Sequence, residues 1–262
     1  MIDTSEQQHI KPTGHKAQTN DALNAKQYTA LMNSRRSVRK YDADSTFDHE
    51  AVTRALELAT LSPNSSNMQL WTFHRVVTAE KRDQLAKLCM GQNAAKTARE
   101  LIVITITPYK WKQRTKMNAA QIRQAFEGRE DATSKRALKY YEKLIPFLYR
   151  NDRLGLIGVI RKVIVAYLGR KKPMVREVSK ADLRVCLHKS TSLAAMTFMT
   201  AIRAEGYDTC PMEGFDSKRV KQLLNLNAKD EITIIIGCGP RAEDGIYGER
   251  HRVDNSEVII KH

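Results

Sequence analysis

The chain has 262 residues, a length that allows one large domain or two small ones and a core built without crosslinks. Hydrophobic residues make up 42% and charged residues 28% of the sequence, which excludes disordered, collagen-like and low-complexity chains. The formal net charge is +15. A charge of this size favours phosphate-bearing ligands, nucleic acids or anionic lipids as partners.

Most of the excess positive charge lies in one stretch. Residues 109–180 contain 19 Lys and Arg but 6 Asp and Glu, whereas the rest of the chain is close to neutral. The pattern predicts that residues 108–180, here called the basic insertion, are made of basic helices.

The four cysteines, Cys89, Cys186, Cys210 and Cys238, have no paired spacing, so we expect reduced thiols rather than a zinc site or a disulfide framework. Residues 1–24 are polar and are predicted to form a flexible tail. No apolar run is long enough for a signal peptide or a transmembrane helix. We expect a cytoplasmic protein with a single domain over residues 25–262.

In chain order, the first element is a short helix from Ala25 to Ser34. Asp48 is placed to cap a second helix, with Val52, Ala55, Leu56 and Ala59 on its buried face. This helix must end before Pro63, because proline disfavours helical backbone in the residue before it. A loop over residues 62–70 then leads to an apolar strand over 71–77.

The following elements are mixed helices and strands. Thr78 is predicted to cap a helix that ends near Met90, and residues 101–107 are uniformly apolar, as in a strand buried on both faces. A buried helix is predicted over 191–204, with Leu193, Met196 and Met199 in the core, and a last strand over 232–236. No βα unit repeats, so the sequence predicts an α+β fold with a central mixed or antiparallel sheet flanked by helices.

Two segments invite functional interpretations. The glycines of Gly237-Cys238-Gly239 resemble a dinucleotide-binding turn, but too little chain follows for the required βαβ unit, so a simple turn after the last strand is expected. The apolar stretch from Leu154 to Leu168, followed by three cations, is too short to span a bilayer. It predicts either an amphipathic segment in peripheral contact with an anionic membrane or ordinary core packing. If that helix were buried, Arg161 and Lys162 would need carboxylate partners.

Anion-binding side chains recur at the ends of predicted elements. They are Arg35, Ser37 and Arg39 after the first helix, Asn93 and Lys96 before the central strand, and Arg250 and Arg252 near the C-terminus. Guanidinium groups bind phosphate through paired hydrogen bonds, and a serine hydroxyl adds a short contact. Taken one at a time, each of these residues is equally compatible with a solvated surface.

Four motifs account for these residues together. They are Arg35-Arg36-Ser37-Val38-Arg39-Lys40-Tyr41, Ser62-Pro63-Asn64-Ser65-Ser66-Asn67-Met68-Gln69-Leu70-Trp71, Pro211-Met212-Glu213-Gly214-Phe215 and Gly248-Glu249-Arg250-His251-Arg252. In order and spacing they resemble the nitroreductase family of FMN-dependent oxidoreductases, from about residue 25 to the C-terminus apart from the basic insertion. Leu70 stands where the family usually has proline.

The resemblance implies an FMN-binding fold and a homodimer with FMN across its interface. Within one subunit, the residues implied to hold the FMN phosphate, ribityl chain and pyrimidine edge are Arg35, Arg36, Ser37, Arg39, Arg250 and Arg252. Asn64, Ser65 and Asn67 are implied to reach the flavin of the other subunit. Lys96, Glu213 and Gly214 are implied to be catalytic, with Asn93 and Lys96 facing the flavin carbonyls and Gly214 near the flavin N5.

The chemistry implied by the resemblance is a ping-pong hydride transfer from NADH or NADPH, through FMN, to a nitroaromatic, a quinone or a related small-molecule acceptor. No metal is expected. The basic insertion, which is longer and more basic than usual, is implied to form a lid over the active site.

The composition also supports a different class of protein, a basic nucleic-acid or anionic-membrane binding protein without redox catalysis. Tyr109, Trp111, Tyr140, Tyr141 and Tyr149 are interleaved with cations, as in proteins that stack bases. Against this, the last three lie among aliphatic residues, which is typical of a helix packing face. On this basis no specific nucleic-acid partner is expected.

Overall fold

The computed structural model describes residues 24–126, 131–152 and 154–262. Helix α1 (Ala25–Ser34) begins at a capping box, in which Asn24 accepts from the Gln27 amide and the Gln27 side chain bonds back to the Asn24 amide. The predicted first helix is therefore confirmed. The predicted flexible tail lies outside the described residues apart from Asn24, which caps α1.

Helix α2 (His49–Thr60) also begins where the sequence predicts, because the Asp48 carboxylate accepts from the Glu50 amide. Its buried residues are Ala51, Val52, Ala55 and Ala59, and Leu56 packs against the same cluster. The helix ends before Pro63, as expected.

The centre of the molecule is a four-stranded antiparallel sheet in the order β1-β2-β4-β3. The strands are β1 (Trp71–Val76), β2 (Glu100–Ile106), β3 (Asp208–Met212) and β4 (Glu231–Gly239). All seven residues of β2 are buried, which confirms a central strand covered on both faces.

Helices cover both faces of the sheet, so the predicted α+β fold is confirmed. One face packs against α3 (Ala79–Leu88), α4 (Asn93–Lys96) and α10 (Ser217–Leu223). The other face packs against α2 and the long helix α9 (Lys180–Ala204). Thr78 occupies the N-cap position of α3, but its side chain makes no capping hydrogen bond.

Three sequence-based expectations about this sheet and its helices are wrong. Residues 237–239 are not a turn but the end of β4, where glycine is needed because a Cβ at Gly237 would lie 2.5 Å from the Ala94 carbonyl oxygen. Helix α9 begins eleven residues earlier than predicted, and Leu193 is half exposed rather than buried. Strand β3 was not predicted, because it contains Pro211, which an edge strand tolerates.

The basic insertion is mostly helical in its described part, as predicted, but residues 169–179 between its last helix and α9 form turns and extended chain. It contains α5 (Trp111–Phe126), α6 (Ala132–Lys139), a π-helical turn at Tyr140–Leu144, α7 (Ile145–Tyr149) and α8 (Leu156–Leu168). A final short helix, α11 (Asn255–Val258), lies near the C-terminus. Among the described residues, no helix combines the length and apolarity needed to cross a membrane.

The expectation for Arg161 is wrong in an informative way. The side chain is fully buried, yet its partners are backbone carbonyls and the Asn151 side chain rather than carboxylates. A guanidinium group offers five N–H donors in a planar fork, which lets it satisfy several carbonyl oxygens at once.

Candidate functional site

The arginine segment at residues 35–39 lies along the edge of the sheet. Ser37 forms a parallel bridge with Thr209 of β3, the Val38 amide donates to the Thr209 carbonyl at 3.0 Å, and the Arg39 amide donates to the Gly245 carbonyl at 2.7 Å. Backbone pairing on both sides therefore holds this segment between β3 and the chain that follows β4.

Together with residues 246–252, this segment lines a cavity of about 240 Å³. The two walls are joined by side chains that donate to backbone carbonyls. Arg36 Nη2 donates to the Gly248 oxygen at 2.6 Å, and Arg250 Nη2 donates to the oxygens of Arg35 at 2.6 Å and Asn33 at 3.0 Å. Gly248 has a φ of 147°, a conformation that glycine adopts without strain.

The cavity is strongly positive. Five guanidinium groups line it, and they belong to Arg35, Arg36, Arg39, Arg250 and Arg252. Glu249 is the single carboxylate of the lining. Within the part of the chain that the structure describes, none of the five guanidinium groups forms an ion pair. Burial, followed by the charges of Arg250, Arg252 and Arg36, lowers the pKa of Arg35. The buried Arg35 Nε has no hydrogen-bond partner. An oxyanion would supply the missing acceptor and relieve the repulsion.

A second group of predicted residues lies beside this cavity. Asn93 Nδ2 donates to the hydroxyl of Tyr247, a lining residue, at 3.2 Å. Gln92 Nε2 donates to the Gly214 oxygen at 2.9 Å, which holds the exposed turn containing Glu213 against the start of α4. Lys96, the last residue of α4, is exposed. The structure therefore gathers three of the four sequence motifs at one end of the sheet.

The fourth motif forms a tight loop at residues 64–69. Three non-glycine residues of this loop have positive φ angles, 55° at Ser66, 48° at Asn67 and 47° at Gln69. Asn64 Oδ1 accepts from the Gln69 amide at 2.8 Å, so the Asn64 side chain closes its own loop. Ser65 and Asn67 are exposed.

The basic insertion holds this loop in its strained shape. Asn118 Nδ2 of α5 donates to the Asn67 oxygen at 2.9 Å and to the Ser66 oxygen at 3.3 Å. The hydroxyl of Tyr141 donates to the Ser66 oxygen at 3.1 Å, and that of Tyr140 lies 2.6 Å from Ser66 Oγ. These contacts join the loop to the insertion across more than fifty residues of sequence.

Within one protomer, the loop and the arginine cavity lie at opposite ends of β2. The loop leads into Trp71, which pairs with Ile106 at the end of β2. The arginine cavity lies beside Thr209, which pairs with Cys238 of β4, and Cys238 in turn pairs with Glu100 at the start of β2. Six residues of strand separate these ends by roughly 20 Å. The structure therefore does not bring Asn64, Ser65 and Asn67 to the cavity of their own chain.

Sequence reasoning missed three residues around these two groups, which are Gln92, Tyr247 and Asn118. It named Tyr140 and Tyr141 only as candidates for base stacking and not for contact with the loop. Tyr247 directly precedes the last motif and Gln92 directly precedes Asn93, so adjacency was the available signal for both. Asn118 and the two tyrosines carry no local signal, because their roles depend on contact with a distant loop.

Four of the five aromatic residues that suggested base stacking pack inside the molecule, whereas the fifth, Tyr109, is 37% exposed. Tyr149 is buried and its ring centroid lies 6.1 Å from that of Trp111. Tyr140 and Tyr141 pack against the buried cluster that contains Met68 and Leu70, with their hydroxyls on the loop. This arrangement argues against stacking of nucleic-acid bases, because stacking needs accessible rings.

The fold and the cavity define a protein that can hold an anion at the edge of an antiparallel sheet. The family model of the nitroreductase family matches residues 32–240, and the chain belongs to the nitroreductase family. The resemblance inferred from the motifs and the assignment as an oxidoreductase are thereby confirmed.

Relatives and solved structures agree with this assignment. The Bacillus subtilis protein MhqN is 24% identical over 89% of this chain and 98% of its own. The oxygen-insensitive NADPH nitroreductase of Helicobacter acinonychis is 21% identical over 87% of this chain and 94% of its own. The Bacillus subtilis ydfN structure has a TM-score of 0.67 at 21% identity, covering 91% of this chain and all of that one.

The cofactor expectation, FMN with NADH or NADPH as donor, also agrees with these comparisons. An Exiguobacterium sibiricum protein solved in complex with FMN has a TM-score of 0.65 at 20% identity, over 92% of this chain and 99% of that one. The observed arginine cavity, with its unpaired Arg35 Nε, fits the phosphate of such a cofactor.

Proposed function

We propose that this protein is a cytoplasmic FMN-dependent oxidoreductase that uses NADH or NADPH to reduce a nitroaromatic, a quinone or a related acceptor. The observation that carries the proposal is the cavity lined by five guanidinium groups that form no ion pair with a carboxylate of the described residues. When bound, FMN supplies a carrier that accepts a hydride from the nicotinamide and, after the nucleotide has left, passes two electrons to the acceptor that binds in the place of the nucleotide, which is a ping-pong order.

In this proposal the residues of the chain bind and orient the cofactor. Arg35, Arg36, Ser37 and Arg39 hold its phosphate, ribityl chain and pyrimidine edge, and Arg250 and Arg252 close on the phosphate. Asn93 and Lys96 face the flavin carbonyls, and the positive charge of Lys96 favours negative charge developing there. The turn at Glu213 and Gly214 lies at the reacting edge, with the Gly214 amide as donor.

We propose that the active unit is a homodimer, because the loop at residues 64–69 cannot reach the arginine cavity of its own chain. The surface beside that loop supports a second copy. Leu61 after α2 is 77% exposed and Leu193 of α9 is 51% exposed. They are neighbours, because Ser62 Oγ donates to Thr197 Oγ1 at 2.7 Å and the Ser65 amide donates to Ser190 Oγ at 3.2 Å.

We further propose that residues 25–262 form one domain and that the basic insertion serves as its lid. A dimer related by a two-fold axis would place the loop of each subunit, together with the insertion that holds it, against the cofactor of the other. The insertion then contributes to the choice of acceptor.

The test of cofactor binding compares two double variants. Arg250→Ala with Arg252→Ala removes two charge-assisted phosphate contacts, each contributing about 1.5–3 kcal/mol, so FMN affinity should fall by at least a hundredfold. Lys81→Ala with Lys87→Ala removes the same charge from the exposed side of α3 and should leave affinity unchanged. Equal FMN content in both purified variants would contradict the phosphate assignment.

The test of the dimer uses Leu61→Glu with Leu193→Glu, measured by light scattering and FMN titration. We expect a monomer that binds FMN weakly, because the site then lacks the second subunit. Val77→Glu, an exposed apolar residue beyond the end of β1, serves as control and should remain dimeric. A wild-type monomer that is fully loaded with FMN and active would overturn the proposal.

The competing function has its own outcome. A wild-type protein that neither binds FMN nor oxidises NADH or NADPH, but is retained on single-stranded DNA in a salt-dependent way, would favour the nucleic-acid binding class.

A further inference from the structure

Helix α8 of the basic insertion presents an apolar face to solvent. Six large side chains recur at intervals of three and four residues along this face and are 39–69% exposed; they are Leu156, Val159, Ile160, Val163, Ile164 and Tyr167. This spacing places them on one side of the helix. An exposed apolar face of this extent marks an interaction surface.

The opposite face anchors α8 to the protein, so the orientation of the apolar face is set by the fold. Arg161 Nη1 donates to the oxygens of Phe147 at 2.8 Å, Leu148 at 2.5 Å and Arg150 at 3.1 Å, and its Nη2 donates to Asn151 Oδ1 at 2.6 Å. A Cβ at Gly158 would lie 3.5 Å from the Cα of Ser179, which shows how closely α8 approaches the start of α9.

The start of the helix is held as well. The Asp152 carboxylate accepts from the amides of Leu154 at 3.1 Å, Leu156 at 3.0 Å and Ile157 at 2.9 Å. Amides that would otherwise be unpaired at the first turn are thereby satisfied, and the carboxylate lies at the positive end of the helix dipole.

The charge along this segment is positive, although Lys162 lies near the carboxylate of Asp182 on α9. Residues 154–176 contain six Lys and Arg and no Asp or Glu. Arg161 and Arg176 are engaged with backbone oxygens, whereas Lys162, Arg170 and Lys171 are exposed. A surface with an apolar centre and a cationic border is complementary to a bilayer that contains anionic lipid.

The same charges oppose pairing of this face with the α8 face of a second copy of the chain. A two-fold pairing of the α8 faces would bring the cations of both copies to one interface. The dimer proposed above uses a different surface, around Leu61 and Leu193. The length of α8, 13 residues, allows it to lie in the membrane interface but not to cross the hydrocarbon core.

We propose that α8 is a membrane-docking element that seats its apolar face in the interface of an anionic bilayer, with Arg170 and Lys171 on the lipid head groups. The inference is independent of the proposed function, because it concerns binding and not electron transfer. Docking would place the protein where lipophilic acceptors are concentrated.

Co-sedimentation of the full-length protein with vesicles tests this. We expect binding to vesicles of phosphatidylcholine mixed with phosphatidylglycerol at low salt, and little binding to phosphatidylcholine alone. Arg170→Gln with Lys171→Gln should weaken binding roughly 30-fold. Lys81→Gln with Lys87→Gln on α3 makes the same change in charge and should leave binding unchanged.

The apolar contribution is tested separately with Val159→Ser and Val163→Ser, compared with Val77→Ser and Val258→Ser, which alter exposed valines elsewhere. We expect loss of vesicle binding in the first double variant and not in the second, with FMN content and molecular mass unchanged in both. A wild-type protein that does not co-sediment with anionic vesicles would overturn the proposal. So would a Val159/Val163 variant that becomes monomeric, since α8 would then be covered by a second copy.

Discussion

The carboxylate of Asp208 accepts a paired contact from Arg241, 3.0 Å from Nε and 2.8 Å from Nη2. Asp208 is buried at the start of β3 and takes a third hydrogen bond from Arg203 Nη1 at 3.0 Å. Arg203 Nε also donates to Ser34 Oγ at 3.0 Å. One buried charge thus joins β3, α9, the chain after β4 and the residue that precedes the arginine segment.

Replacing this carboxylate should affect both stability and the site. We expect Asp208→Ala to lower the free energy of unfolding by about 3 kcal/mol, because two guanidinium groups lose their charge partner. Both guanidinium groups keep part of their surface in solvent, which limits the loss. FMN affinity should fall as well, since Arg35 follows Ser34. Urea unfolding and FMN titration measure the two effects.

The control for this prediction is Asp244→Ala. Asp244 forms an ion pair with Lys40 at 2.7 Å, but both side chains are largely exposed, and exposed pairs of this kind add little to stability. Equal losses of stability in the two variants would show that the Asp208 cluster has no special role.

A second buried charge, Glu100, allows a test by compensation. Its fully buried carboxylate contacts Arg75 at 2.5 Å from Nε and 3.0 Å from Nη2. We expect Arg75→Met alone to cost about 3–5 kcal/mol of stability, because it leaves a buried charge without this partner. Arg75→Met combined with Glu100→Leu should recover most of the loss, as judged by thermal and urea unfolding. A double variant less stable than the single one would contradict this account.

The contact between Asn118 and the loop at residues 64–69 predicts an effect on catalysis. Each non-glycine residue with positive φ costs about 1–3 kcal/mol of strain, and Asn118→Ala removes two hydrogen bonds that hold that shape. Faster hydrogen exchange of the loop amides should accompany a fall in kcat/KM of about tenfold to a hundredfold.

Gln124→Ala, an exposed change on the same helix, serves as control for Asn118→Ala. In the control, hydrogen exchange of the loop amides and kcat/KM should equal those of the wild-type protein. Unchanged loop exchange in Asn118→Ala would mean that other contacts suffice to hold the loop.

The environment of His74 predicts a pH effect on stability. Burial, and then the charge of Lys110, lowers the pKa of His74 against the opposing charge of Asp230. Because the unfolded chain takes up this proton at a higher pH than the folded chain, the free energy of unfolding should fall as the pH drops below about 6.5. His74→Gln should make the dependence between pH 7 and pH 5 shallower.

The measurement is urea unfolding of wild type and His74→Gln across that range. Carboxylates with lowered pKa values, such as Asp48, lose their contribution at lower pH and do not obscure the comparison. Parallel curves for the two proteins would contradict the prediction.

Local signals predicted much of the fold. The cap residue Asp48, the restriction before Pro63 and the uniform apolarity of β2 act between neighbours along the chain, so the corresponding elements begin and end close to where the sequence indicates. Strand β3 was not predicted because its composition does not indicate a strand, and its pairing with β4 stabilises it instead. The exposure of Leu193 follows from the packing of α9 on α2, which no local pattern reports.

By itself, the sequence determined the fold class, the family and the residues that carry anion-binding chemistry, because motif order and side-chain type are properties of the chain. The tertiary structure decided how those residues are grouped. Pairing of Ser37 with Thr209 brings Arg35 and Arg250 to one cavity, while the length of β2 keeps Asn67 away from it. It also decided that Arg161 Nη1 donates to three backbone carbonyl oxygens, since only the folding of the insertion brings those oxygens together.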